Sequence, residues 1–270
     1  MPSIILESLD DPRIEYFRRM RDRELAVEHG RFIAEGEYLV ERLIDSDFEL
    51  DSILVSETKH DHIVSQLNVD IPVYVAPNKT IRDITGFGYT SGVYACAVRK
   101  PYVELDALFQ DSAPECRNII VCPKVSTPRN LGSITRIGAA FGVSGILLGP
   151  ECCDPFYRRS VRVSMGAVYK IPYVRSTDLV SDLRRLKDEF GIRLVGTILD
   201  DEAESLYRVA DWSPEDRNRM AIILGNEDTG LEQDVIELCD RKVMIPMHLG
   251  TDSLNVSVSA ALFMYEFARP

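Results

Sequence analysis

Apolar positions along this chain switch between a helical and a strand period. In FIAEGEYLVERLI, residues 32–44, Leu39, Val40, Leu43 and Ile44 recur at helical spacing, and LDSILVS, residues 50–56, follows as a short strand. A helix near 57–67 and strands at IPVYVAP (71–77) and SGVYACAVR (91–99) complete a layered αβ unit over residues 12–98. Residues 99–117, with Pro101, Pro114, Glu104, Asp106, Asp111 and Glu115, read as a connector.

From residue 118 the alternation restarts. NIIVCPKV is a strand, RNLGSITRIGAAFG a helix and GILLG a strand. A helix over 178–190, a strand at GIRLVGTIL, a strand at MAIILG, a helix at LEQDVIEL, a strand at RKVMIPM and a terminal helix follow. Strands near 119, 146, 194, 222 and 244 with helices between them predict a largely parallel sheet. The expected organisation is a first domain over 1–99, a linker over 100–117 and a second domain over 118–270.

Composition adds limits. At 45% hydrophobic and 27% charged the chain is ordinary for a soluble globular protein. The start has no basic segment leading into a long apolar run, so no signal peptide is expected, and no stretch is apolar enough to span a membrane. Cys96, Cys116, Cys122, Cys152, Cys153 and Cys239 form no C-x-x-C pair, which predicts free thiols in a reducing cytoplasm. His60 and His62 alternate, but no acidic or cysteine partner completes a site, so surface histidines rather than a metal site are expected.

The net charge of −12 argues mildly against a nucleic-acid partner. The cations are nevertheless grouped. Residues 13–31 hold Arg13, Arg18, Arg19, Arg21, Arg23 and Arg31, and Arg129, Arg136, Arg158, Arg159, Arg162 and Lys170 form a second group. Distant acids are screened beyond roughly 10 Å, so a local basic patch can still meet a polyanion.

Three polar loops sit where strands of the second domain end. In PRNLGSITRIGAAFG (128–142), Asn130 is placed to cap a helix, and Ser133, Arg136 and Ala140 share one helical face. LGNEDTGLEQD (224–234) joins a strand to a helix but lacks G-x-x-x-x-G-K-[ST] and G-x-G-x-x-G, which excludes a phosphate loop and a dinucleotide fingerprint. Its Glu227 can pair with Arg136, accept from a hydroxyl, or cap the next helix. In IPMHLGTDSLNVSVSAA (245–261) a strand ends at Ile245–Met247, Gly250 permits an unusual turn, and a helix begins near Leu254 with Asp252 or Ser253 as its cap. Loops at the carboxyl ends of parallel strands are where α/β sheets bind ligands.

In order, N-L-G-S-I-x-R-x-x-A-A-F-G, L-G-N-E-x-x-G-L and I-P-M-x-x-x-x-D-S-L-N-V-S-V-S-A closely resemble the three motifs of the SpoU/TrmH family, RNA ribose 2′-O-methyltransferases of the SPOUT superfamily. The resemblance covers about residues 118–268, and SMGAVYKIPYVR (164–175) is similar to the family's segment between the first two motifs. The N-terminal part resembles the family's ribosomal-protein-like RNA-binding module, FIAEGEYLVERLI most of all. The resemblance implies a parallel sheet with a trefoil knot, a homodimer sharing its active site, and S-adenosyl-L-methionine as cofactor. It implies that Thr197, Leu224, Gly225, Ile245, Met247 and Leu254 hold that cofactor, and that Asn130, Arg136, Glu227, Ser253 and Asn255 serve catalysis and RNA handling without a metal.

The sequence departs from the family pattern at Ile137-Gly138 and Asp228-Thr229, neither of which removes a proposed functional group. Arg18, Arg19 and Arg31 are the expected RNA contacts of the first domain. The function expected is methyl transfer to a ribose 2′-hydroxyl of ribosomal RNA, with transfer RNA as the alternative substrate. A non-catalytic RNA-binding protein on the same fold is the alternative of another class. A nucleotide-dependent oxidoreductase is disfavoured by the missing glycine fingerprint.

Overall fold

The computed structural model describes residues 3–18, 22–68, 70–86, 91–110, 118–200, 203–226, 229–250 and 253–268. They form two compact units, one of Met1–Pro101 with Asp154–Lys170 and the other of Tyr102–Cys153 with Ile171–Pro270.

The first unit is built on a five-stranded mixed sheet in the order β1-β4-β3-β5-β2. Its strands are β1 (Ser3–Ile5), β2 (Arg31–Glu35), β3 (Leu50–Ser56), β4 (Val73–Ala76) and β5 (Val93–Val98). β1, β4 and β3 run parallel, and β5 is antiparallel to both β3 and β2. β3 buries its last five residues in succession, as a central strand covered on both faces does. FIAEGEYLVERLI divides at Gly36, whose φ of 107° suits only glycine. Its first half is β2, and only Glu37–Ile44 is helical, burying Leu39, Val40 and Leu43.

Residues 154–170 belong to this unit although the sequence pattern runs them into the second domain. Phe156 packs 5.0 Å from Phe32, and Tyr169 packs 5.7 Å from Phe48, ring centre to ring centre. Asp154 pairs with Arg99 at 2.7 Å, both side chains nearly buried. An aromatic cluster and a shielded ion pair therefore hold the segment, and both join residues far apart in sequence.

The second unit carries a seven-stranded, wholly parallel sheet in the order β10-β12-β9-β11-β6-β7-β8. Its strands are β6 (Ile119–Cys122), β7 (Gly145–Leu148), β8 (Tyr173–Arg175), β9 (Arg193–Thr197), β10 (Glu204–Ser205), β11 (Met220–Ile223) and β12 (Arg241–Met244). β6, β7 and β11 are buried throughout. The expected strands near 119, 146, 194, 222 and 244 are all present; β8 and β10, of 3 and 2 residues, extend the sheet at its edges. The expected connector is partly core: Val103 donates its backbone N–H to Tyr173 O, and Leu105, Leu108 and Phe109 are buried beside Ile119 and Val174. Its residues 111–117 lie outside the described residues. No helix among the described residues is long and apolar enough to cross a membrane.

Because all strands of this sheet are parallel, β6, β9, β11 and β12 end at one edge. The three polar loops follow those ends.

Candidate active site

The site grows from the carboxyl end of β9. Thr197 Oγ1 donates to Ile223 O at 3.0 Å and accepts from Gly225 N at 3.2 Å. One hydroxyl thus pins the first residues beyond β11 to the neighbouring strand. The turn beyond is closed by paired backbone bonds between Asn226 and Gly230, at 2.9 and 3.0 Å. The Asn226 amide also donates to Lys124 O at 3.0 Å, and its carbonyl accepts from Thr229 N at 3.2 Å. Glu227 lies outside the described residues.

The terminal helix spans Val256–Phe267, and its cap is Asn255, which accepts from Ser257 N at 3.1 Å. Ser253 is not the cap, and Asp252 lies outside the described residues. The helix of the first loop spans Pro128–Ala140 with Thr127 before it, so Asn130 is not its cap either. Proline sets the helix start, which puts Asn130 inside the first turn. There Asn130 is buried, and its carbonyl accepts from Asn255 Nδ2 at 3.1 Å. The first and third loops are joined through this amide pair, a role that neither residue's local sequence reveals.

Between the loops lies a cavity of about 440 Å³. Thr197, Leu224, Gly225, Ile245, Met247 and Leu254 all line it, as does Ser253. Ile198, Leu231, Ile236 and Phe263 supply apolar wall that the motif reading had not singled out. The volume falls in the usual range for small-molecule sites, roughly 300–1,000 Å³. A largely apolar wall crossed by exposed backbone edges suits a flat heterocycle with a polar rim.

Arg136 stands apart. It is exposed on the 128–140 helix, its side chain has no hydrogen bond or ion pair among the described residues, and it does not line the cavity. Six residues from Asn130 on a 3.6-residue helix, it faces another side.

The expected RNA contacts of the first unit are largely engaged within the chain. Arg31 Nε donates to Asp51 at 2.7 Å and its NH1 to His29 O at 2.9 Å, while the guanidinium lies over the Tyr16 ring. The Asp51 hydrogen bond holds the Arg31 pKa above its usual value. Arg18, half-buried, donates to Asp11 O at 3.2 Å. Arg19 lies outside the described residues. Lys79 and Arg82, exposed on the helix Asn78–Thr85, have no ion-pair partner among the described residues and were not expected. The second basic group is also divided, since Arg158 pairs with Asp22 in the first unit and Arg136 belongs to the second.

His62 is exposed, as expected of a surface histidine, but it has acidic neighbours that the sequence spacing does not show. His62 Nε2 lies 2.9 Å from Glu41 and 3.3 Å from Glu37, two acids one helical turn apart. Lys59 holds the other Glu37 oxygen at 2.7 Å, so the three acid–base groups sit in a mixed-charge surface cluster. The hydrogen bond from His62, then that from Gln66, holds the Glu41 carboxyl below its usual range. Helix packing brings these groups together; sequence spacing does not. Cys96, Cys122, Cys152, Cys153 and Cys239 are free thiols, and Cys116 lies outside the described residues.

Comparison with known proteins places this geometry. The model of the SpoU rRNA Methylase family matches residues 117–265. A Mycobacterium tuberculosis protein described as an uncharacterized tRNA/rRNA methyltransferase is 35% identical over 266 residues, covering 96% of this chain and 90% of the relative. The 23S rRNA (guanosine-2′-O-)-methyltransferase RlmB of Acinetobacter baylyi is 30% identical over 202 residues, covering 74% of this chain and 79% of that protein. Among solved structures, an AdoMet-bound rRNA methyltransferase from Sinorhizobium meliloti superposes with a TM-score of 0.81 at 25% identity, covering 97% of this chain and 96% of that one. An all-parallel sheet with a loop-built cavity at its carboxyl edge is the ligand site of an open α/β fold. The chain belongs to the SpoU/TrmH family and is an RNA methyltransferase.

Proposed function

We propose that this protein transfers a methyl group from S-adenosylmethionine to a ribose 2′-hydroxyl of ribosomal RNA, acting as a homodimer. The observation that carries this reading is the convergence of all six expected cofactor residues, which lie at or beyond the ends of three strands, on one cavity. The RlmB relative supports ribosomal RNA and the ribose hydroxyl. Transfer RNA is the second reading, since the M. tuberculosis relative is described with both.

When bound, S-adenosylmethionine supplies a methyl on a sulfonium, already a good electrophile. What remains for the chain is alignment and activation of the hydroxyl. The Gly225 backbone, held by Thr197, and the edges at Ile245, Met247 and Leu254 would fix the cofactor against the apolar wall. Leu224 closes the strand end beneath it. The Asn130–Asn255 pair holds the first-loop helix against the third loop, and Ser253 reaches the cavity from that loop. The Arg136 guanidinium holds an RNA phosphate and stabilises the developing alkoxide. Glu227 would accept from the ribose or from Arg136.

The homodimer reading has two supports. Arg136 does not line the cavity of its own chain, so a second copy can deliver it to the first. Val258, Leu262 and Tyr265 are exposed at 48%, 39% and 55% along one face of the terminal helix, an apolar stripe of the kind subunits bury. The trefoil knot implied by the family resemblance belongs to the same proposal, with the chain after β12 threaded beside the cavity.

Calorimetric titration tests the cofactor. Micromolar binding of S-adenosylmethionine and S-adenosylhomocysteine, without binding of NAD, is expected. A folded protein that binds neither sulfur compound would favour a non-catalytic RNA-binding protein. Thr197→Val removes one donor and one acceptor from the Gly225 hinge, a loss of about 1–3 kcal/mol where the partners stay buried. Its affinity for S-adenosylmethionine should fall roughly ten- to a hundredfold in the same titration. An unchanged affinity would rule out the hinge role.

A further inference from the structure

Most of the described arginines of the second unit are committed to partners within it. Arg175 donates to Gly149 O, Cys152 O, Cys153 O and Tyr102. Arg185 pairs with Asp106 and Glu189, Arg193 with Asp216, and Arg241 with Glu204, while Arg219 donates to Phe190 O. Arg129 and Arg136 differ. Both are exposed, neither side chain has a hydrogen bond or ion pair among the described residues, and their helix, PRNLGSITRIGAA, contains no acid. Arg184 and Arg208 also lack a partner among the described residues, but their helices carry Asp182, Asp188 and Asp211.

Resting on the ribose-methylation reading above, we propose that Arg129 is a second phosphate contact for the substrate RNA, on the same helical face as Arg136 and two turns from it. Seven residues bring a straight α-helix back to nearly the same direction, about 10 Å along its axis. The two guanidiniums therefore offer a short row of positive charge to one strand. Arg129 follows Pro128 in the first helical turn, where the helix dipole disfavours a cation. The residue does not serve the helix, and no acid on that helix neutralises it. Its neighbour Asn130 is buried and bonded to Asn255, so the turn that bears Arg129 is fixed against the start of the terminal helix. A planar fork on a fixed turn suits bidentate phosphate binding. On a chain of net charge −12, such unpaired cations are where a polyanion can approach.

The test compares wild type, Arg129→Ala and Arg129→Lys with unmodified 23S ribosomal RNA transcribed in vitro. Binding is measured by filter retention across a potassium chloride series, and methyl transfer under steady state. For Arg129→Ala, RNA binding should weaken roughly tenfold, and the log–log salt slope should become shallower by about one. KM for RNA should rise in step while kcat stays within about twofold, with S-adenosylmethionine affinity unchanged and the melting temperature not lowered. Arg129→Lys should keep the salt slope. Wild-type RNA affinity and salt slope in Arg129→Ala would overturn the proposal, as would a lowered melting temperature with kcat and KM falling together. A wild-type protein that binds the RNA but transfers no methyl would instead overturn the methyltransferase reading, while the binding comparison still decides Arg129.

Discussion

Arg136→Ala should lower methyl transfer by roughly 10²–10³-fold or more while S-adenosylmethionine binds as it does to wild type. The loss is of the size seen when one preorganised charge is removed from a developing oxyanion. Binding should survive because Arg136 is exposed, its side chain has no hydrogen bond or ion pair among the described residues, and it does not line the cavity. For the same reason the melting temperature should not fall. Arg136→Lys keeps the charge but loses the planar fork, and intermediate activity is expected. Mixed dimers sharpen the test. If the arginine acts across the subunit interface, co-expressing Arg136→Ala with Thr197→Val should restore activity at one site in the heterodimer. Turnover near wild type in the alanine variant would remove Arg136 from the mechanism.

The largest effect on stability is expected at Gly149, directly after β7. A methyl group added there would fall on the Pro123 carbonyl at the end of β6, a backbone atom that cannot rotate away. Gly149 N also donates to Cys122 O at 2.8 Å, and its carbonyl accepts from Arg175 at 2.9 Å, so the residue is held from both sides. Gly149→Ala should cost about 3 kcal/mol or more, the upper end for overpacking. For a chain of this size that is a fall of roughly 6–12 °C in melting temperature. The strain should also reach the cavity, because the chain beyond Pro123 runs to Lys124, whose carbonyl anchors Asn226 at 3.0 Å. A melting temperature within about 2 °C of wild type would mean that the two strand ends can separate at little cost.

What could be read from the sequence follows from how locally each feature is determined. β6, β7 and β11 are short apolar runs buried on both faces, and such runs announce themselves. β1 has an exposed–intermediate–exposed pattern at a sheet edge and carries no such signal. β2 was hidden inside an apparently helical stretch because Gly36 alone marks the break. The return of residues 154–170 to the first unit depends on Phe32 and Phe48 meeting Phe156 and Tyr169, and no local pattern encodes a pairing over that distance.

The site was legible as three motifs, and the residues assigned to the cofactor do meet at one cavity. The hydrogen bonding within it was not legible. Asn130 was read by the capping preference of its residue type, and Asn255 only through the family resemblance. The buried amide bond between them spans 125 positions and appears only once both helices are placed. Charge was the least legible feature. Arg31 looked available until Asp51 was folded against it, and His62 looked solitary until Glu37 and Glu41 came within reach.

The most direct test of the central claim is to incubate the protein with unmodified 23S ribosomal RNA and methyl-labelled S-adenosylmethionine, then digest the RNA and locate the label. The account predicts label on a ribose 2′-oxygen at a defined nucleotide, absent when Arg136 is replaced by alanine. Label on a base, or no transfer to either ribosomal or transfer RNA by a folded protein that binds S-adenosylmethionine, would contradict it.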